Sequence, residues 1–576
     1  MKKIVLPALL ALLSLGATAQ TVCPATPAPI SVGTGTPAKA GFEITQNTTW
    51  TRNNIYLLNG TVYVNDGVTL TIEAGTIIKG DKTNQGTLVV RQGGKLIAIG
   101  TPTQPIVFTS NQLAGSRQPG DWGGVILCGR APVNNPGNPS IEGGVVATFG
   151  GTNAADNSGT LQYVRIEYPG VNFGTNNEIN GLTLGGVGSG TTIDHIQVTA
   201  SNDDSYEWFG GTVNAKYLIA LAGTDDDFDT DNGYSGRVQF GLAVRDPRRG
   251  DTQSGGVSNG FESDNDATGT ANTPQTSAVF SNVTVLLPTT PAPFTAYTNS
   301  AGALIRRNSA LSIVNSVFAG RPYGLELNSN SGALTTANAQ SGALLFANNV
   351  LAGYTAPSRV GRVTSNQTTT TAGFNFRTFV GSTNDTTSTV AALGLNADSF
   401  SFEGNCGANA QCAPNLALAT GSVLATGAAF TNAKLTGTGN GGPNSTFEVV
   451  THRGAFGATN WATGWTNFNP QITCYNVAGQ TLANREVANA PLETLAVSPN
   501  PTEGAATLSF RVKRSTTATV RVVDVMGREV ATVLKAGKLA AGPQRLALPS
   551  SLAPGVYIAT VATAEAVQSV RFVVSK

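Results

Sequence analysis

His195-Ile196-Gln197-Val198, Tyr217-Leu218-Ile219-Ala220 and Gln239-Phe240-Gly241-Leu242 stand at intervals of 22 residues, and this spacing decides the fold. Upstream, Asp66-Gly67-Val68-Thr69-Leu70-Thr71-Ile72 falls by a shift of 27 on Gly93-Gly94-Lys95-Leu96-Ile97-Ala98-Ile99. Downstream, Ser281-Asn282-Val283 falls by 34 on Asn315-Ser316-Val317, and then by 33 on Asn348-Asn349-Val350. Apolar and polar residues alternate after a Gly turn, as in a strand with one buried face. A unit this short cannot bury its own apolar face, so it stacks on its neighbours as a solenoid. Constant strands with variable repeat length predict an all-β parallel β-helix whose loops leave one side. Asn and Ser at matching positions are placed to form side-chain ladders along the stack.

Composition agrees with strands and turns. Charged residues are 12% of the 576-residue chain, against about 25% in an average globular protein. Gly is abundant at 68 residues, and a charge-poor, Gly-rich chain excludes long bundles and coiled coils. With 40% apolar residues the chain has enough to build a core, which excludes wholesale disorder. The net charge of +1 gives no global attraction to nucleic acid. Two histidines, His195 and His452, leave little room for His-rich metal sites, and His195 lies in a strand repeat as a packed or edge residue.

The chain starts with Lys2 and Lys3, an apolar run from Ile4 to Leu15 and the small-x-small triplet Ala17-Thr18-Ala19. This predicts a signal peptide over 1–19 cleaved after Ala19, then an N-terminal segment or cap over 20–44. No segment is long and apolar enough to span a membrane, so the mature chain has no expected transmembrane helix. Five cysteines are sparse and odd in number. Cys406 and Cys412 are close enough in sequence to close a small ring, and the absence of CxxC argues against structural zinc.

The segment from about Thr45 to Cys474, taken as domain 45–475, resembles the secreted right-handed parallel β-helix proteins of the pectate-lyase-like superfamily. The resemblance implies binding or catalysis on one lateral face and fixes no substrate. A linker is expected over 476–495. Beyond it, alternation in Thr519-Val520-Arg521-Val522-Val523 and Val556-Tyr557-Ile558-Ala559, with frequent turns, predicts a small Ig-like β-sandwich over 496–576. From Val497 onward there are ten Lys/Arg and four Asp/Glu, a local net of +6. Ser498-Pro499-Asn500-Pro501, Asp524-Val525-Met526-Gly527-Arg528 and Leu552-Ala553-Pro554-Gly555-Val556-Tyr557 closely resemble the type A C-terminal sorting domain of the type IX secretion system of Bacteroidota. That resemblance implies the secretion machinery as a partner, passage through the outer membrane, and a secreted or cell-surface protein. In it, Pro499, Asn500, Pro501, Asp524, Gly527, Arg528, Gly555 and Tyr557 form the sorting motif.

One charge cluster stands out. Between Asp194 and Asp266 lie 14 acids and five Lys/Arg, a net of −9 in a charge-poor chain. The 22-residue offset places Asp203 and Asp204 on Asp225 and Asp226, Glu207 on Asp229 and then on Asp251, and Arg248 on Asp226. Neighbouring rungs lie about 4.8 Å apart, so stacked carboxylates must splay, bind protons, pair with Arg or share a cation. Asp227-x-Asp229-x-Asp231 is no EF-hand, because Gly233 comes one place late and no Glu closes the loop. The expected ligands of a Ca²⁺ site built across rungs are Asp203, Asp204, Glu207, Asp225, Asp226, Asp227, Asp229 and Asp231. Tyr206, Trp208, Phe228 and Tyr234 are interleaved with the acids and are candidates for stacking on sugar rings. Trp461 and Trp465 are expected to cap the end of the solenoid.

The favoured function is a binding or adhesion scaffold for surface glycans or polysaccharide, with Ca²⁺ on the acidic face. The alternative is a Ca²⁺-dependent polysaccharide lyase, in which Arg237, Arg245 or Lys216 would remove a proton. A β-helix glycosidase using paired carboxylates is weakened by the absence of the Gly-His-Gly and Arg-Ile-Lys elements expected of polygalacturonases.

Overall fold

The computed structural model describes residues 23, 27–35, 41–135, 137, 139–174, 177–252, 256–289, 292–354, 356–365, 371–402, 414–480, 482, 492–524, 529–563 and 567–575. The chain divides into two units, Met1–Ala483 and Asn484–Lys576. The expected signal peptide, the Cys406/Cys412 pair, Gly527, Arg528 and half of the linker lie outside the described residues.

The first unit is a β-helix with three parallel faces. One face consists of 11 strands from Phe42–Ile44 to Gly361–Thr364. The other two meet along the long strands Gly159–Glu167, Thr192–Thr199, Asn214–Leu221, Arg237–Val244 and Val279–Leu286, each of which bends in the middle. The bend falls on Tyr163, His195, Tyr217, Phe240 and Asn282, and its equivalents in later rungs are Asn315 and Asn348; all have φ between 52° and 62°. Left-handed backbone is unfavourable for non-Gly residues, least so for Asn. At the four non-Asn positions, ring stacking compensates. Successive centroids lie 4.4, 4.3 and 5.1 Å apart from Tyr163 through His195 and Tyr217 to Phe240. The Asn/Ser ladder is also present: Val283 N donates to Ser316 Oγ, Ser316 N to Asn349 Oδ1, and Asn349 N to Asn384 Oδ1.

The register corrects several expected offsets. Ile196 pairs with Leu218 at 22, but Leu218 pairs with Gly241 at 23. Thr69 pairs with Lys95 at 26 rather than 27, which stacks buried Leu70 and Ile72 on buried Leu96 and Ala98. A one-residue slip would have turned that apolar set outward. Thr284 pairs with Val317 at 33, not 34. Asp229 falls on Glu262 rather than Asp251, because the chain leaves the rung in a loop after Val244 and re-enters it at Phe261. Arg248 belongs to that loop and pairs with Asp246 at 2.7 Å, not with Asp226.

Among the described residues of this unit the last parallel strand is Gly361–Thr364 and one further parallel bridge joins Val350 to Asp385, well short of the expected boundary at residue 475. Helix Thr335–Ser341 stands between the last two strands of the 11-stranded face, helix Phe376–Gly381 follows them, and Phe374, Phe376 and Phe379 pack against the core. The chain then passes back and forth across the outer side of the two bent faces. Asn315 receives Ala429 N, Asn214 reaches Pro443 O, Gln239 receives Glu448 N, Asn282 reaches His452 O and Gln197 receives Asn467 N. A Cys23–Cys474 disulfide ties this return segment to the N-terminal side. Trp461 and Trp465 pack here, edge-on to His195 at 6.1 and 5.6 Å. They therefore cover a lateral face and do not cap the end.

The second unit pairs a three-stranded antiparallel sheet (Leu492–Ser498, Ala506–Val512, Gly542–Leu548) with a four-stranded one (Glu529–Leu539, Thr516–Asp524, Gly555–Thr563, Val567–Val574). Both sheets feed one core through Leu508, Phe510, Val520, Val522, Val561 and Phe572. Asn500 Oδ1 accepts from Val573 N at 2.9 Å, and Tyr557 Oη donates to Ala553 O at 2.9 Å.

Phe228 sits inside the stack, fully buried against Tyr206 and Phe261. Phe228→Ala is expected to cost about 3–5 kcal/mol, read as a lower urea midpoint of the first unit.

Candidate functional site

On the 11-stranded face, side chains alternate inward and outward. In Tyr206-Glu207-Trp208-Phe209 the inward positions are Tyr206 and Trp208 and the outward ones are Glu207 and Phe209. Registers of 22 and 33 residues continue the outward column from Glu207 to Asp229 and Glu262, then to Leu304, Glu326 and Arg362. The Asn-Asp-Asp turn before the strand adds Asp203 and Asp204, and the next turn adds Asp225 and Asp226, with Asp226 N donating to Asp204 Oδ1 at 2.8 Å.

Two sets of carboxylates converge. Oxygens of Asp203, Asp204 and Asp225 lie within 4.8 Å of one another, as do those of Asp204, Glu207 and Asp229. Burial first, and repulsion from neighbouring carboxylates second, hold Asp203, Asp204, Glu207, Asp225 and Asp229 well above the usual carboxylate range. Asp231 is pushed up to about 7, by burial and then by Asp264. Asp229 Oδ1 is buried without a hydrogen-bond partner among the described residues. Clustered carboxylate oxygens, one of them unfilled, suit a hard cation that takes 6–8 oxygen ligands in loose geometry. The donor set therefore fits Ca²⁺, with Asp204 common to both groups.

The structure separates some expected ligands from this array. Asp227 is fully buried between Arg245 (2.9 Å) and Arg321 (3.1 Å) and serves as their counter-ion. Asp226 accepts from Asn259 N, and Asp231 accepts from Asn232 N. The aromatic candidates are corrected outright. Tyr206, Trp208, Phe228 and Tyr234 have no exposed surface and stack on one another inside the core, at 5.3–6.0 Å between centroids. Strand alternation turns Tyr206, Trp208 and Phe228 away from the face that carries the acids.

The proton-abstracting candidates are also engaged elsewhere. Arg237 lies under the return segment and donates to the carbonyls of Lys434, Thr436, Gly437 and Ser445. Lys216 pairs with Glu448 at 2.9 Å. Arg245 is fully buried, held by Asp227 and by the carbonyls of Gly223 and Asn259. His195 is half-buried between Tyr163 and Tyr217 with Nδ1 on Asp194, as a packed residue.

Beside the carboxylates opens a cavity of about 370 Å³, lined among others by Asp204, Asp225, Asp229, Glu262, Arg306 and Arg362. Sequence reasoning missed Glu262, Arg306, Glu326 and Arg362, because rung insertions break the 22-residue offset. Arg306 pairs with Glu262 and with Asp264 (2.8 Å), Arg307 with Asp264 (2.6 Å), and Arg362 with Glu326 (2.6 Å). The far end of the column is thus neutralised by arginine, while at Asp203, Asp204 and Glu207 burial acts first and the charged neighbours that add to it are other acids.

Residues 42–399 match the family described as a pectate-lyase-like β-helix domain, more than half of the chain. Residues 496–575 match the secretion system C-terminal sorting domain. No curated protein sequence matches the chain.

Carboxylic acids whose folded pKa lies above the unfolded value, near 4, stabilise the fold below that value and cease to do so as pH rises through the folded one. In EDTA, the melting temperature of the β-helix is expected to fall as pH rises from about 5 to 8. Asp225→Asn with Asp229→Asn is expected to flatten this slope, as measured by circular dichroism melts.

Proposed function

We propose a calcium-dependent binding role for this chain, which belongs to the pectate-lyase-like β-helix family. Its sorting tail marks it as a secreted or outer-surface protein handled by type IX secretion; no helix among the described residues is long and apolar enough to cross a membrane. On our reading, a signal peptide ending at Ala19 starts that route. The β-helix serves as a rigid scaffold, and Ca²⁺ held by Asp203, Asp204, Asp225, Glu207 and Asp229 faces the cavity. There its remaining coordination positions are open to hydroxyl oxygens of a neutral or cell-surface polysaccharide. The observation that carries this reading is the pair of carboxylate groups sharing Asp204 at the edge of an open cavity.

The lyase alternative draws support from Arg306 and Arg362, which line the same cavity. Each is already committed to a carboxylate, and a polyuronate would meet net repulsion from the uncompensated acids. We therefore favour the binder.

Ca²⁺ is expected to raise the melting temperature and EDTA to lower it. Linkage gives about 2.7 kcal/mol at a hundredfold excess over Kd, and Asp225→Asn with Asp229→Asn is expected to erase the difference. Retention on an insoluble neutral or cell-surface polysaccharide should require Ca²⁺ and be lost in the same variant. Unsaturated product absorbing near 235 nm on pectate or alginate, abolished by Arg306→Ala or Arg362→Ala, would reverse the choice. Separately, deletion of residues 497–576 is expected to leave the protein inside the outer membrane. Normal surface display of the truncated chain, read by protease shaving of intact cells, would refute that assignment of the tail.

A further inference from the structure

The head of the carboxylate column holds acids that lie outside both groups described above. Glu142 comes from a loop laid over the 11-stranded face, and Glu178 and Asn180 directly precede the strand Leu182–Gly185. Asn180 Nδ2 donates to Glu142 Oε1 at 3.1 Å and also to Glu207, so two carboxylates from distant parts of the chain converge on one amide. The Glu142 and Glu207 carboxyls are themselves within hydrogen-bonding reach of each other. Glu178 adds its charge to both Glu142 and Asp203.

Two further oxygens point to a ligand. Asn180 and Thr183 are each 1% exposed, and Asn180 Oδ1 and Thr183 Oγ1 have no hydrogen-bond partner among the described residues. The Asn180 oxygen shares a carbon with the nitrogen that touches both carboxylates, so it belongs to the same cluster. Thr183 is in register with Glu207 on the outward column, one rung away. A buried oxygen left unfilled is costly. A proton shared by Glu142 and Glu207 would relieve their repulsion, yet would leave the Asn180 oxygen without a donor. A hard cation meets both demands, since it takes oxygen ligands and cancels charge.

We propose a second divalent-cation site, of the Ca²⁺ class, formed by Glu142, Glu207 and the oxygens of Asn180 and Thr183, with Glu178 contributing negative charge beside it. It rests on the preceding reading only in that Glu207 is shared, which makes the column a two-ion array.

The test is calcium stoichiometry on the metal-stripped full chain, by isothermal titration calorimetry with CaCl₂ and by native mass spectrometry. The wild type is expected to take two ions. Glu142→Gln and Thr183→Val are each expected to take one, and Asp225→Asn is expected to lose the other. Thr183→Val keeps the side-chain shape, so it remains informative if Glu142→Gln fails to fold. One ion in the wild type, lost in Asp225→Asn and untouched by Glu142→Gln, would overturn the second site and leave the binding role intact. Two ions retained in Glu142→Gln or in Thr183→Val would overturn it as well. No ion in the wild type would remove both readings.

Discussion

Parallel strand pairing at one fixed spacing governs this molecule. Each register position meets its counterpart about 4.8 Å away in the next rung, so like residues in one column add their chemistry. Inside the 11-stranded face, Tyr206, Phe228 and Phe261 form a ring stack that buries apolar area and adds favourable quadrupole contacts. One residue further along the same strands, Glu207, Asp229 and Glu262 form a column of like charges. At that spacing each such pair repels by about 3.5 kcal/mol at an effective dielectric of 20. Both columns follow from the same backbone geometry, and only the outer one needs something else to neutralise it.

The covering of the faces explains where that need is met and where it is left open. The two bent faces lie beneath the return segment, which contributes Phe456, Trp465 and Phe468 to a second apolar cluster and is tied back by the Cys23 disulfide. The early rungs of the third face lie beneath Ile141, Val145 and Phe149. Its late rungs bring Arg306 and Arg362 to Glu262 and Glu326. Between these covers lies the stretch from Asp203 to Asp229, where the carboxylates are crowded and a cavity opens. Among the described residues the site is thus a part of the face that neither apolar packing nor arginine completes.

Much of this was legible from the sequence, to the extent that the period held. The 22-residue offset placed Glu207 on Asp229 and Tyr206 on Phe228 because the two turns between them are of equal length. It failed at Asp251 because an insertion carries no register, and Glu262 was lost with it. The burial of Tyr206 and Trp208 was legible by parity alone, since they alternate with Glu207 and cannot share its face. The return segment was not legible. It has irregular backbone with no period, and its contacts join residues more than 100 positions apart, 200 in the case of Arg237 and Gly437. The engagement of Arg237 and Lys216 is a tertiary fact of this kind.

The insertion that broke the period also builds one wall of the cavity, and a costly device holds it in place. Arg245, Asp227 and Arg321 are fully buried together at the base of this loop. Desolvating such a cluster gives little or no net stability over an apolar replacement. Its effect is positional. Arg245 donates to Asn259 O, Asn259 N donates to Asp226, and Asn259 Oδ1 accepts from Ala301 N in the following rung. Asn259 is thereby fixed at three points while lining the cavity together with Asp204 and Asp225. A wall set this firmly cannot retreat to let the carboxylates splay into water, so their repulsion must be answered where they stand, by protons or by a bound cation.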